Sequence, residues 1–215
     1  MYHSVKTFLA NDPMSPEGQI KSFIKTQYHF VFVKEIPRLL ADWGDRSFRP
    51  AALTFDDGYE DFYTDVLPIL KKYQAKATLY MICGKVGQKG YLDWKQLRQI
   101  NASGLVEVGA HTLTHPVLTD QKIAVAEEQI FKSKEKLEKM LGIPVETFCY
   151  PYGFFSGEVV TLVKAAGFKA AVSTVRGVDQ SPENQFYLSR VRPGYYCVSL
   201  SQKISYLKKN YRPKV

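Results

Sequence analysis

Short apolar runs alternate with amphipathic stretches along the whole chain, and each conspicuous polar motif follows an apolar run directly. This order constrains the fold more than any other feature. Strands separated by helices pair in parallel with one another, so sustained alternation predicts one α/β domain around a mostly parallel sheet. The expected strands are Phe30–Val33, Ala51–Phe55, Thr78–Ile82, Val106–Ala110, Glu146–Tyr150, Lys169–Thr174 and Leu188–Val191. The expected helices begin with one opened by Ser15-Pro16-Glu17, where Pro16 takes the first helical position. Asp61–Tyr73, a helix from the N-cap Asp93 to Ala102, Asp120–Leu141, Ser156–Ala166 and Ser199–Lys209 follow. Gly104 and Gly142 stand where a left-handed residue closes a helix. Six or seven β/α units suit a barrel, and with no linker or internal repeat, residues 1–215 read as a single domain.

At 215 residues and 45% hydrophobic content, the chain can bury one sizeable core. No apolar run approaches the roughly 18–20 residues of a membrane span. The start, Met1-Tyr2-His3-Ser4-Val5-Lys6, lacks the regions of a secretory signal, so the compartment is the cytoplasm, or the envelope or exterior if a signal was removed. Net charge is +8, from 29 Lys plus Arg against 21 Asp plus Glu. Part of it lies in Lys208-Lys209-Asn210-Tyr211-Arg212-Pro213-Lys214, read as a solvated tail, with attraction to an anionic envelope or polymer as the functional alternative. No nucleic-acid motif is present, so no nucleic-acid partner is expected, and the protein is expected to be a monomer. Cys83, Cys149 and Cys197 are odd in number and widely spaced; they read as buried thiols rather than a disulfide framework or a metal site.

The polar motifs narrow the chemistry. Asp56 and Asp57 are adjacent, and His111 and His115 form a His-x3-His pair. One carboxylate with two imidazoles is a ligand set for zinc or a similar divalent ion. The second carboxylate is then left to serve as a base on a metal-bound water, which points to a metal-dependent hydrolase. In β/α barrels the chemistry sits on loops at the C-terminal ends of strands. Asp56 and Asp57, His111, and the run Tyr150-Pro151-Tyr152-Gly153 each follow an expected strand, and so converge on one mouth.

These residues resemble a known family. Thr54-Phe55-Asp56-Asp57-Gly58 is similar to the first motif of the polysaccharide deacetylases, the NodB-homology group of carbohydrate esterase family 4. His111-Thr112-Leu113-Thr114-His115-Pro116 is similar to the second, and Tyr150-Pro151-Tyr152-Gly153 resembles the third. The resemblance implies a distorted (β/α)7 TIM-like barrel that removes N-acetyl groups from amino sugars with a bound divalent metal. Zn²⁺ is the default, with Co²⁺, Ni²⁺ or Fe²⁺ as alternatives. It also implies that Asp57, His111 and His115 bind the metal, that Asp56 is the general base, and that the Tyr152 backbone N–H helps hold the oxyanion.

The departing sugar amine needs a proton, and a histidine suits that task at neutral pH. The family usually draws it from a Leu-x-x-His motif near the C-terminus, but no histidine follows His115. His3 and His29 remain. Met1-Tyr2-His3-Ser4-Val5 resembles the N-terminal Tyr-His segment of the poly-β-1,6-N-acetylglucosamine deacetylases, in which the motif order is permuted, so His3 is assigned as general acid. Such a position needs a strand pairing to hold it. His29, flanked by two aromatics, reads as structural. Many relatives carry an Arg where Cys149 stands, orienting the base. Arg190 is assigned that role, with Arg192 as the alternative; without a cation, Asp56 beside another carboxylate would have a raised pKa. Trp94 reads as packing, and Tyr80, Phe154 and Phe155 as candidate groove aromatics. The expected activity is N-deacetylation of an N-acetylglucosamine glycan, with a poly-β-1,6-linked polymer as leading substrate. The alternatives are hydrolysis of another small amide, or a weakly catalytic sugar-binding barrel.

Overall fold

The structure, a computed structural model, describes residues 1–5, 12–42, 47–178 and 180–192. The expected helix Ser199–Lys209, the basic C-terminal run and Cys197 lie outside the described residues. Two short strands, β1 (His29–Phe30) and β2 (Pro50–Ala51), pair in parallel. The main sheet comprises β3 (Leu53–Phe55), β4 (Ala77–Met81), β5 (Val106–Ala110), β6 (Thr147–Cys149), β7 (Ala170–Arg176) and β8 (Leu188–Arg190). These six strands are parallel and lie side by side in chain order, as in a sheet wound progressively round a barrel. Every residue of β4 and β5 is buried, as befits strands covered on both faces.

The helices are α1 (Pro16–Lys25), α2 (Ile36–Ala41), α3 (Leu67–Tyr73), α4 (Trp94–Ala102), α5 (Ile123–Leu141) and α6 (Gly157–Ala165). Local chemistry sets their ends. Ser15 caps α1 by accepting from the Gly18 N–H at 3.1 Å. Asp93 and Gln96 cap α4 reciprocally, at 2.7 and 2.9 Å. Gly142, at φ 68°, closes α5. Among the described residues, no helix is long and apolar enough to cross a membrane.

Some boundaries differ from the sequence reading. The run Ala51–Phe55 divides at Ala52: Ala51 stays with β1, and Leu53–Phe55 joins the main sheet. Of the expected strand Phe30–Val33 only Phe30 is strand, together with His29 before it; Val33–Glu35 forms a 3-10 turn, and side chains take the amides at its start. The Val33 N–H donates to Thr78 Oγ1 at 3.1 Å and the Phe32 N–H to Glu35 Oε2 at 2.7 Å. The expected helix Asp61–Tyr73 begins with a π-helical stretch, Phe62–Val66, before α3. Tyr80 is fully buried, against Val33, Cys149, Val172 and Leu188, and is no groove aromatic. Gly109 leaves room for it: a Cβ there would lie 2.6 Å from the Tyr80 ring.

The N-terminal residues bridge the sheet's two edges. The Tyr2 N–H donates to Thr54 O and Tyr2 O accepts from the Asp56 N–H, both at 2.8 Å, so Tyr2 pairs in parallel with β3. Its ring stacks on Phe55 at 5.1 Å. Met1 N donates to Val191 O, just past β8, at 3.0 Å. The first and last strands are thereby joined, and the fold is a distorted (β/α)7 barrel whose core runs through Leu53, Phe55, Leu79, Met81, Val108 and Phe148.

Candidate active site

At the end of β3 the chain turns sharply through Asp56, Asp57 and Gly58. Gly58 has φ 81°, where any side chain is strained, and a Cβ there would lie 2.1 Å from Met81 Sδ and push that side chain aside, so glycine is favoured. Asp57 itself has φ 74°. Thr112 (φ 65°), His115 (φ 67°) and Tyr152 (φ 58°) share this left-handed conformation, which a β-branched residue such as Thr112 rarely adopts. Four strained residues thus meet on neighbouring loops, as strain tends to gather at functional sites.

Hydrogen bonds hold the His111–His115 loop in that shape. The Cys83 and Gly84 N–H groups donate to Thr112 O (3.0 Å) and Leu113 O (2.7 Å). From α5, Gln129 Oε1 accepts from the Leu113 and Thr114 N–H groups at 3.1 and 2.9 Å. The His115 N–H donates to Thr112 Oγ1 at 2.9 Å.

Three side chains converge on one point. Asp57 Oδ1 lies 3.5 Å from His111 Nε2 and 3.7 Å from His115 Nε2, and the two Nε2 atoms are 3.1 Å apart. His111 Nδ1 lies 2.6 Å from Cys149 O. A carbonyl only accepts, so Nδ1 carries a proton and Nε2 faces the cluster; metal-binding imidazoles commonly make such an outer bond. Asp57 Oδ1 is buried without a hydrogen-bond partner. An orphaned carboxylate oxygen facing two imidazole nitrogens fits a divalent cation with nitrogen and oxygen ligands.

Beside this cluster, Arg190 meets Asp56 with both ends of its guanidinium: Nη1 to Oδ1 at 2.7 Å and Nη2 to Oδ2 at 2.8 Å. Its Nε–H donates to Ser173 O at 2.7 Å, and Nη2 lies 3.3 Å from Cys149 Sγ. Burial alone would raise the Asp56 pKa, but the Arg190 guanidinium more than offsets it and holds the carboxyl well below the usual range. Cys149, Asp56 and His111 also lie close enough to suggest an ion, but the guanidinium already pairs with both Asp56 oxygens and lies against Cys149 Sγ.

His3 Nε2 stands 4.0 Å from Asp56 Oδ2, with the ring 44% exposed. Burial lowers its pKa more than the Asp56 and Asp57 carboxylates raise it. The Tyr152 ring packs 4.6 Å from His115, and among the described residues nothing accepts from its backbone N–H. Thr174 Oγ1 donates to Tyr152 O at 2.9 Å. The structure therefore brings Asp56, Asp57, His111, His115, His3, Arg190 and Tyr152 to one mouth. Arg192 is exposed, and His29 stacks on Phe48 at 4.8 Å in the separate β1–β2 layer. Trp94 packs against the core, Phe155 lies between Tyr150 and Tyr187, and Phe154 is exposed. A cavity of about 360 Å³ behind Arg190 has mostly apolar walls and includes none of Asp57, His111 and His115. Sequence reasoning missed Gln129 and the Cys149 carbonyl; one lies on an amphipathic helix and the other is backbone, so neither left a local signal.

Residues 44–171 match the family model for polysaccharide deacetylase. The chain belongs to the polysaccharide deacetylase family. It carries the hydrolase domain of that family, and its backbone agrees. The Streptococcus pyogenes deacetylase PplD, solved with acetate, superposes with a TM-score of 0.83 at 25% identity, over 96% of this chain and 95% of that one. IcaB from Ammonifex degensii superposes with a TM-score of 0.77, also at 25% identity, over 88% of each chain. A poly-β-1,6-N-acetyl-D-glucosamine N-deacetylase of Staphylococcus aureus is 29% identical over 188 residues, 81% of this chain. The polysaccharide deacetylase domain described here spans 64% of that relative's length.

Proposed function

We propose that this deacetylase domain hydrolyses the N-acetyl amide of N-acetylglucosamine units in a glycan, releasing acetate, with a β-1,6-linked polymer as the preferred substrate. The observation that carries the reading is the meeting of Asp57 Oδ1, His111 Nε2 and His115 Nε2 within 3.7 Å, next to an Asp56 gripped by Arg190. The name of the staphylococcal relative supports the linkage.

Asp57, His111 and His115 would hold a divalent cation, zinc by its ligand type. When bound, such an ion polarises the amide carbonyl and lowers the pKa of water from about 15.7 toward about 7. Asp56, kept ionised by Arg190, takes the proton from the attacking water. The Tyr152 N–H donates to the developing oxyanion; one such donor is typically worth about 2.7–4 kcal/mol. His3, in its imidazolium form, delivers its proton to the departing sugar nitrogen, so that a neutral amine leaves and neutral imidazole remains.

The test is acetate release by zinc-loaded protein from β-1,6- and β-1,4-linked N-acetylglucosamine oligomers. Release is expected from the β-1,6 oligomer first, with most of it lost in Asp56→Asn. Equal rates for Asp56→Asn and the unaltered protein would remove the mechanism; preference for the β-1,4 oligomer would remove the linkage.

A further inference from the structure

We propose that Asp61 is a positioning residue for His3: its buried carboxylate grips the chain just beyond His3 and sets where the imidazole stands beside Asp56. The inference rests on the reading of His3 as proton donor and adds the group that holds it in place.

Asp61 precedes the helical stretch Phe62–Val66. An aspartate there ordinarily caps its own helix by accepting from the first amides. Asp61 makes no such bond, and its backbone is already helical, at φ −64°. Its Oδ2 instead accepts from Ser4 Oγ at 2.5 Å and from the Val5 N–H at 2.6 Å, across 57 and 56 residues of sequence. The side chain is only 1% exposed. A carboxylate is kept in such surroundings only with compensating bonds, and these two fix the N-terminal segment.

The other side of His3 is fixed as well, because Tyr2 is tied to β3 through its N–H and its carbonyl. His3 is therefore the single residue between two anchors. Among the described residues its imidazole makes no hydrogen bond of its own, and the Asp56 carboxylate lies 4.0 Å away. With no hydrogen bond to the imidazole among the described residues, its placement comes from the backbone on either side, and Asp61 supplies one anchor. Near a reacting group, a displacement of about 1 Å can lower the rate about 100-fold.

The experiment compares zinc-loaded wild type, Asp61→Ala, Asp61→Asn, Ser4→Ala, His3→Ala and the double variant His3→Ala/Asp61→Ala. Imidazole NMR, kcat on an N-acetylglucosamine oligomer and zinc affinity are read for each. In Asp61→Ala the His3 resonances should move toward those of free histidine, and kcat should fall about 10- to 100-fold with zinc affinity unchanged. Asp61→Asn keeps an acceptor oxygen and should restore most of both. On the His3→Ala background, Asp61→Ala should change kcat by less than about twofold, because coupled residues do not add. Unmoved His3 resonances in Asp61→Ala, or an equal loss of kcat on the His3→Ala background, would overturn the inference. If Asp61→Ala does not fold, Ser4→Ala removes the Ser4 Oγ bond, and an unmoved His3 signal there overturns it equally. Wild-type kcat in His3→Ala would sink the proton-donor reading instead, and the resonances would still decide the placement.

Discussion

Arg190 grips both carboxylate oxygens of Asp56, at 2.7 and 2.8 Å, across 134 residues of sequence. Arg190 ends β8 and Asp56 follows β3, the two outermost strands of the six-stranded sheet. The ion pair therefore spans the seam of the barrel, beside the main-chain bridge made by Met1 and Tyr2. Two planar groups in register give the strongest form of this contact.

Removing that guanidinium should expose its effect on Asp56. Arg190→Ala leaves a buried carboxylate unpaired, which typically costs about 3–5 kcal/mol of stability. With the guanidinium gone, burial dominates and the Asp56 pKa rises. In the wild type the folded pKa is depressed, so the pair stabilises the fold above the unfolded value of about 3.9, and that contribution is lost only as pH falls through the lower folded value. A rate that needs ionised Asp56 should therefore show no acid limb from this residue near neutral pH. In Arg190→Ala an acid limb should move up toward neutrality. A kcat/KM–pH profile and a urea melt of each protein check both outcomes.

The cation should stabilise the fold measurably. Free metal at about 100 times its dissociation constant adds about 2.7 kcal/mol, or roughly 5–10 °C in melting temperature for a chain of this size. Asp57→Asn and His115→Ala should abolish most of that increment in calorimetry. Burial pushes the His111 pKa down, but Cys149 and the Asp57 carboxylate push it further up. A cation must displace that proton, so affinity should weaken as pH falls, and binding should release protons measurable in weakly buffered titrations.

Gln129 touches no ligand atom, but it holds the loop between the two histidines through two amides. Its replacement by alanine is expected to weaken cation affinity about 10- to 100-fold, the usual effect of removing an outer partner. Glutamate keeps the acceptor and should retain most of the affinity. Competition against a chromophoric chelator gives both numbers.

Gly153 is expected to tolerate no side chain. It has φ 83°, and a Cβ would lie 2.0 Å from Thr174 Oγ1 and 2.4 Å from Thr174 N. Gly153→Ala must shift β7 or the Tyr152 turn, at about 1–3 kcal/mol for overpacking and a similar amount for the strained backbone. The Tyr152 N–H moves with it, so kcat should fall more than zinc affinity. A denaturant melt, a kcat measurement and a zinc titration separate the two effects.

The parallel α/β architecture was legible in the chain because it rests on local pattern. Apolar runs such as Val106–Ala110 and caps such as Asp93 act over a few residues, and the same residues carry the signal and form the element. Asp56, Asp57, His111 and His115 could be singled out for the same reason, since each follows a strand within its own short motif. The sequence favoured Arg190 over Arg192 as the partner of Asp56, but the two have the same parity along an extended chain, and it is the end of β8 at Arg190 that separates the buried one from the exposed one. Nor could sequence show that Tyr80 is sealed inside, that Gln129 braces the histidine loop, or that Asp61 reaches Ser4 and Val5. Those facts depend on which strand edges and helix faces meet when the sheet curls shut. Pattern in one stretch carries no information about its distance from another, and closure of the barrel sets that distance.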